Sequence, residues 1–246
     1  MALIGNYNVL KGVIKNLLKI RDLIFPVFCI SCGKEGAAIC KKCLEKIKVK
    51  AQFFCPACGT SNFEGRVCAS CGEKIFLDGA VSLGDYQDKI LQAAIIEYKY
   101  NFKKDVFVIF KKIIVDFCNN YHQHIFWRKD FNWLLVPVPL HKKREWERGF
   151  NQAEETAKIL SFCLGLGADF AVLKKIKKTS RQAELNRLER LKNQVGAFTA
   201  KRKIDGQNII LVDDVFTTGA TLNECAKILK QAGAGLVWAI TLARER

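Results

Sequence analysis

Apolar residues run through this chain in three different rhythms. Over residues 1–24, Leu3, Ile4, Val9, Leu10, Val13, Ile14, Leu17 and Leu18 recur at helical spacing, with Lys11, Lys15, Lys19 and Arg21 between them. This predicts a basic amphipathic helix, ended by Phe25-Pro26 and docked on the protein's own core rather than on a membrane. Residues 25–77 hold little apolar material apart from cysteine. From residue 78 onward, apolar runs alternate with helical patterns. Strands are expected at 80–83, within 131–140, and at 170–173, 206–214 and 236–242. Helices are expected at 89–100, 105–120, 152–164 and 222–231, the last stopped by Gly233. Strands alternating with helices predict an α/β fold, a mostly parallel sheet flanked by helices with right-handed crossovers. The chain thus divides into a helix (1–24), a cysteine-rich segment (25–77) and an α/β domain (78–246).

Eight of the eleven cysteines fall into two blocks, Cys29-x2-Cys32-x7-Cys40-x2-Cys43 and Cys55-x2-Cys58-x9-Cys68-x2-Cys71. A two-residue gap lets both thiolates of a turn reach one ion, and two such turns close a tetrahedron with Zn–S of about 2.3 Å. Glycine follows Cys32, Cys58 and Cys71, and Pro56 lies inside a knuckle, as tight turns require. The pattern predicts two structural zinc ribbons, each binding one Zn2+. With four thiolates per ion, no coordination position is left for catalysis. The competing reading is a disulfide scaffold, which belongs to secreted chains. The N-terminal segment lacks the continuous apolar stretch and small-residue cleavage site of a signal peptide, so a cytoplasmic protein is expected. Cys118, Cys163 and Cys225 sit in apolar or helical surroundings and are expected in the core.

The 246 residues are 50% hydrophobic and 26% charged, the composition of a globular protein. No apolar run approaches the ~18 residues of a membrane span. The formal net charge is +16, which suits a polyanionic partner, either nucleic acid or a polyphosphate substrate. Residues 141–203 alone carry sixteen lysines and arginines against seven acids. His122 and His124 could face one way on a strand as metal ligands, but two histidines alone are a weak signal and are read as a surface feature.

Candidate chemistry concentrates where Ile209-Ile210-Leu211-Val212 runs into Asp213-Asp214 and on through Val215-Phe216-Thr217-Thr218-Gly219-Ala220-Thr221. A continuous apolar run reads as a strand buried on both faces, and ligands of open α/β sheets bind beyond the carboxyl ends of such strands. The loop 217–221 opens a helix whose first N–H groups lack intrahelical partners. Those amides, the helix dipole and three threonine hydroxyls make a cradle for a phosphate dianion. A nucleoside triphosphatase loop would place a lysine before the Ser/Thr, and none occurs. Two carboxylates suit hydrogen bonds from sugar hydroxyls. Adjacent strand residues face opposite sides, so Asp213 and Asp214 share one sugar only where the chain is leaving the strand at Asp214.

A second strand, containing Leu134-Leu135-Val136-Pro137-Val138-Pro139, ends in Leu140-His141-Lys142-Lys143-Arg144-Glu145-Trp146-Glu147-Arg148-Gly149-Phe150-Asn151-Gln152, read as a basic loop. Arg144 and Arg148 are the best candidates to grip phosphate oxygens, because a guanidinium fork matches them bidentately. The polar stretch 179–193, between two strands, has the length of a lid or linker.

The run 209–221 resembles the phosphoribosyl diphosphate (PRPP) signature of type I phosphoribosyltransferases. That resemblance implies that Asp213 and Asp214 hold the ribose 2′ and 3′ hydroxyls and that Thr217, Thr218, Gly219, Ala220 and Thr221 hold the 5′-phosphate. It also implies that the loop with Arg144 and Arg148 holds the pyrophosphate, and that 179–193 closes over the site. Adding the paired ribbons, Lys99-Tyr100, Val136-Pro137-Val138-Pro139-Leu140-His141, Glu147-Arg148-Gly149-Phe150-Asn151-Gln152, and Gln182, Arg187, Arg190 and Asn193 with Gly196-Ala197-Phe198, the chain looks like the ComF family of competence-associated phosphoribosyltransferase homologues. The resemblance implies PRPP and Mg2+ as ligands, transfer of phosphoribosyl to a nucleophile the sequence does not identify, and a link to DNA uptake. The alternative it leaves open is a non-catalytic PRPP sensor that handles single-stranded DNA in natural transformation beside other uptake proteins. Phe53, Phe54 and Phe63 would serve that role if exposed, and they equally suit the small core of the ribbons.

Overall fold

The computed structural model describes residues 26–101, 104–121, 132–177 and 194–245. The helix expected over 1–24, the histidine pair and the segment 179–193 with Gln182, Arg187, Arg190 and Asn193 lie outside them.

The centre is a six-stranded sheet in the order β1-β2-β8-β7-β3-β4. Its strands are β1 (Gln52–Phe54), β2 (Gly79–Ser82), β3 (Trp133–Pro137), β4 (Gly167–Ala168), β7 (Asn208–Phe216) and β8 (Val237–Arg244). All pair in parallel except β1, which runs antiparallel to β2. Every residue of β8 is buried, and so are Ile209 to Val212 of β7. The unbroken apolar runs therefore form strands covered on both faces. Ile210, Val212 and Ile240 face a core with α2 (Lys89–Tyr100), α3 (Phe107–Tyr121) and α5 (Gln152–Leu164), α1 being the short helix Lys41–Lys46 of the cysteine-rich segment. Ile209, Leu211 and Ala239 face a second core with α6 (Ala220–Gln231) and the hairpin of β5 (Leu173–Lys175) and β6 (Phe198–Ala200). α2 and α5 begin where the sequence predicts because Asp88 and Asn151 cap them, each side chain accepting first-turn N–H bonds.

Beyond the unforeseen short elements β4, β6 and the helix Lys41–Lys46, four features differ from expectation, each for a local reason. The strand expected at 170–173 starts at Leu173, because Asp169 Oδ1 accepts the N–H groups of Ala171 and Val172 and folds those residues into a turn. β7 does not end at Asp214. It continues to Phe216 because β8 accompanies it, Val215 opposite Ala243 and Phe216 opposite Arg244. The basic loop is a helix, α4 (Lys142–Arg148), capped by His141 and stopped by Gly149 at φ +73°. It buries no residue, so it has no apolar period to betray it. Finally, the cysteine-rich segment donates β1 to the main sheet. Phe54 is fully buried there and Phe53 half-buried, which leaves Phe63, 81% exposed, as the open aromatic of the three.

Candidate functional site

β7 outruns its neighbour β3. Pro137 lies opposite Val212, and Val138 N–H still donates to the Val212 carbonyl at 2.9 Å. There the ladder stops. Asn151 Nδ2 donates to the Val138 carbonyl at 3.1 Å, and Asp214 N–H turns to Asp213 Oδ1 at 2.9 Å. The carboxyl end of β7 thus stands open on its β3 side while β8 supports the other.

Period-two alternation carries Asp213 to the α6 face and Asp214 to the α2 face. Lys99, in the last turn of α2, donates to Asp214 Oδ1 at 2.7 Å, both side chains half-buried. Asp213 is pushed up to about 7 by loss of water and by the adjacent Asp214 charge, against the pull of Lys99, the Asp214 N–H and Lys175. Burial works against the Lys99 ammonium, but the two carboxylates outweigh it and hold Lys99 above its ordinary value.

The loop that follows turns at Gly219, which caps α6 with φ +73°. A Cβ there would lie 2.7 Å from the Phe216 ring, so only glycine fits this turn. Thr218 Oγ1 accepts the Ala220 N–H at 3.4 Å. Thr217, Thr218 and Thr221 are half-buried, at the mouth rather than in the core. The twelve-residue α6 gives this end a full helix dipole. The predicted loop residues and both aspartates are therefore contiguous at one sheet edge.

The basic segment reaches the same edge through α4. Arg144 and Arg148 stand four residues apart on one helix face and are half-buried, while Lys142, Lys143, Glu145, Trp146 and Glu147 are exposed. Arg148 Nη1 donates to Gln152 Oε1 at 2.8 Å, at the start of α5. Gln152 Nε2 is buried without a partner among the described residues. The Arg144 charge is felt by Lys175, which burial first and Arg144 second depress to about 8, while Cys225 and Asp213 act the other way. Lys175 also donates to Gln194 Oε1 at 3.4 Å and lies 5.0 Å from the centre of the Phe198 ring. Sequence reading gave Lys175 no role. The available sign was its place two residues after buried Leu173, a cation at an inward-facing strand position. Lys99 was noted only within a motif, because nothing local links the end of α2 to Asp214. Two carboxylates and three cations, Lys99, Arg144 and Lys175, thus interact at the carboxyl end of β7, where the loop begins, an arrangement suited to a ligand with both hydroxyls and phosphates.

The two cysteine quartets form equivalent knuckles. The ligand sulfurs of each lie within 4.8 Å of one another. Cys32 and Cys40 sulfurs are 3.7 Å apart, Cys58 and Cys68 also 3.7 Å, and Cys55 and Cys68 3.6 Å. A tetrahedron with Zn–S of about 2.3 Å has an edge of about 3.8 Å. Cys40 N–H points at Cys29 Sγ and Cys68 N–H at Cys55 Sγ, supporting the thiolate in each ribbon. The residues fit two structural zinc ions. Among the described residues these two quartets are the groups of three or more His, Cys, Asp or Glu side chains placed to hold an ion. No helix among those residues is long and apolar enough to cross a membrane.

This fold and site define a phosphoribosyltransferase-domain protein carrying a double zinc ribbon. The double zinc ribbon domain matches residues 20–74 and the phosphoribosyl transferase domain residues 147–246. Competence protein ComFC of Bacillus subtilis (strain 168) is 30% identical over 220 residues, 86% of this chain and 86% of that one. The DNA utilization protein YhgH of Salmonella typhi is 27% identical over 233 residues, 90% of this chain and 99% of that one. Competence protein F of Haemophilus influenzae is 27% identical over 234 residues, 89% and 98% of the two chains. The chain belongs to the ComF family.

Proposed function

We propose that the chain binds PRPP with Mg2+ at the carboxyl end of β7 and transfers its phosphoribosyl group to a nucleophile. The observation that carries this reading is the meeting, at one sheet edge, of the threonine-lined start of α6 with Asp213 on one side and the cations Arg144 and Lys175 on the other. In this reading Thr217, Thr218, Gly219, Ala220 and Thr221 bind the 5′-phosphate through hydroxyls and first-turn amides. Although β7 runs on to Phe216, its β3 side is unpaired beyond Val212, so in this reading the ribose lies over that open edge, reached by Asp213 from one face and Asp214 from the other. Lys99 engages Oδ1 of Asp214, and the second oxygen accepts a sugar hydroxyl. Arg144, with Arg148 along the same face, holds the pyrophosphate. The C1′–O bond to pyrophosphate breaks with its electron pair on the leaving group, and the acceptor's lone pair forms the new bond to C1′. Bound Mg2+ supplies charge neutralisation of the departing pyrophosphate. The protein's share is positioning and fixed positive charge.

Titration calorimetry of the zinc-loaded chain with PRPP–Mg2+ tests this. Binding is expected, and Asp213→Asn or Thr218→Val is expected to weaken it about tenfold or more, at roughly 1.5–3 kcal/mol per charge-assisted hydrogen bond. Asp213 must be ionised to hold its ribose hydroxyl most strongly and Lys175 protonated to face phosphate. Affinity is therefore expected to rise as pH passes about 7 and to fall again above about 8. Absence of binding to the zinc-loaded protein refutes the reading.

A second reading rests on relatives named for DNA utilization and competence, and on Phe63, which stands exposed beside a groove lined by Gln52, Phe53, Asn62 and Tyr121. Here the chain handles single-stranded DNA and PRPP is sensed rather than consumed. Strand binding would fall with salt at a slope near −0.7 per phosphate contacted, without any need for Asp213.

A further inference from the structure

The second ribbon touches the site through a continuous line of side chains. Gly59, the turn residue after Cys58, accepts a hydrogen bond at its carbonyl from Arg244 Nη2 at 2.6 Å. Its φ is +80°, and a Cβ there would lie 2.7 Å from that same nitrogen. The guanidinium carbon lies 3.8 Å from the centre of the Phe54 ring, and Phe54 immediately precedes ligand Cys55. Phe54 in turn meets Phe216 edge-on, centroids 4.9 Å apart at 82°. Phe216 closes the underside of Gly219, the residue on which the threonine loop turns. The backbone of Arg244 is held as well, its N–H by the Gly84 carbonyl and its carbonyl by Tyr86 N–H, and the next N–H, of Glu245, donates to the Phe216 carbonyl at 2.9 Å. Both flanks of one zinc knuckle therefore grip one arginine, and that arginine and its stacking partner stand under the loop.

We propose that the second ribbon is the brace of the phosphate loop, with Arg244 the positioning residue between them. This rests on the reading of 217–221 as a phosphate site. Three physical features make the coupling. Arg244 is 8% exposed and cannot shed its proton. A zinc-loaded ribbon offers the counter-charge, since four thiolates around one divalent ion sum to −2. The Phe54–Phe216 contact joins ribbon and loop in close packing, which passes displacement on rather than absorbing it. Zinc in the second ribbon thereby raises affinity at the loop, and by linkage a ligand at the loop must hold that zinc more tightly by the same factor.

The test uses the full zinc-loaded chain and reads backbone hydrogen exchange across 217–222, with zinc content and melting followed alongside. Arg244→Gln is expected to retain two zinc ions and to speed exchange of 217–222 about tenfold, with 29–43 at the wild-type rate. Arg244→Lys, which keeps the charge without the planar fork, is expected to fall between. In the wild type, PRPP–Mg2+ is expected to slow zinc release from the second ribbon to a chelator, and Arg244→Gln is expected to diminish that slowing. The first ribbon is expected to release zinc at an unchanged rate. Alkylation of the freed thiols tells the ribbons apart. If Arg244→Gln keeps its zinc and 217–222 exchanges within about twofold of wild type, the brace is refuted. Should Arg244→Gln not fold, Arg244→Lys is judged by the same criterion. A wild-type chain that binds no PRPP refutes the functional reading alone, and the exchange measurement still decides the brace.

Discussion

Phe28 and Phe54 hold the same place in the two ribbons, one residue before the first cysteine, and each bridges to a residue seven positions later, Glu35 and Ser61. The knuckles around them match bond for bond: Cys29 N–H to Lys34 and Cys55 N–H to Thr60, Gly33 N–H to Cys29 and Gly59 N–H to Cys55, Cys43 N–H to Cys40 and Cys71 N–H to Cys68. Their surroundings do not match. Phe28 is 53% exposed and Phe54 0%. A Cβ on Gly33 would meet nothing within 4 Å, whereas one on Gly59 would strike Arg244. The first ribbon instead contributes Ala38, Ile39 and Ile47 to the core beside α2 and α3. Metal-ligand spacing fixes a knuckle, and what the knuckle is for depends on the residues between and beyond the ligands. The second ribbon alone contributes a strand to the sheet that carries the site.

Removing one ligand from each ribbon breaks the comparison most severely. Each metal site contributes roughly 10–16 kcal/mol to forming its own ribbon. Cys29→Ser is expected to lose one zinc and loosen the first ribbon, with hydrogen exchange across 217–222 unchanged. Cys55→Ser is expected to lose the other zinc together with order in β1 and in the loop, and to lower the melting temperature more. Equal effects on the loop would erase the asymmetry drawn above.

The aromatic twins sharpen it. Phe54→Ala removes a fully buried ring that touches both Phe216 and Arg244, and a cost of about 3–5 kcal/mol is expected. Phe28→Ala trims an exposed ring, and a change within about 0.5 kcal/mol is expected. Denaturant unfolding of the two variants measures both, and comparable losses would mean that the second ribbon is no better integrated than the first.

Most of this architecture was legible before any coordinates, and the exceptions share a cause. α2 and α5 were readable because a capping side chain and an apolar face coincide in sequence at Asp88 and Asn151. β7 and the loop after it were readable because burial on both faces leaves an unbroken apolar run. α4 was not, because a helix with no buried residue carries no period. β1 was not, because three residues within a cysteine-rich segment give no sign that their partner is Gly79–Ser82. Lys99, Lys175 and Arg244 were not, because each acts on a group 115, about 40 and 185 residues away. Local chemistry is written locally, while pairings across the fold depend on topology, which spacing does not encode. The carboxyl end of β7 shows both sides of this: the sequence supplies the aspartates and threonines, and the cations that balance them come from α2, α4 and β5.

The glycine twins provide the smallest and most discriminating contrast. Gly33 and Gly59 have nearly the same backbone, φ +70° and +80°, so an alanine at either position suffers the same left-handed strain, roughly 1–2 kcal/mol. That shared cost cancels in the difference between Gly33→Ala and Gly59→Ala, leaving the encounter of the new methyl with Arg244. The guanidinium cannot simply swing aside, since it is stacked 3.8 Å over Phe54 and bonded to the very carbonyl that bears the substitution. Gly59→Ala is therefore expected to cost about 1 kcal/mol more than Gly33→Ala, as overpacking at a buried contact does. Zinc binding should survive in both, because neither methyl touches a thiolate. Melting curves of the two zinc-loaded variants give the difference directly, and coincident curves would mean that the arginine yields freely and that the knuckle grips nothing.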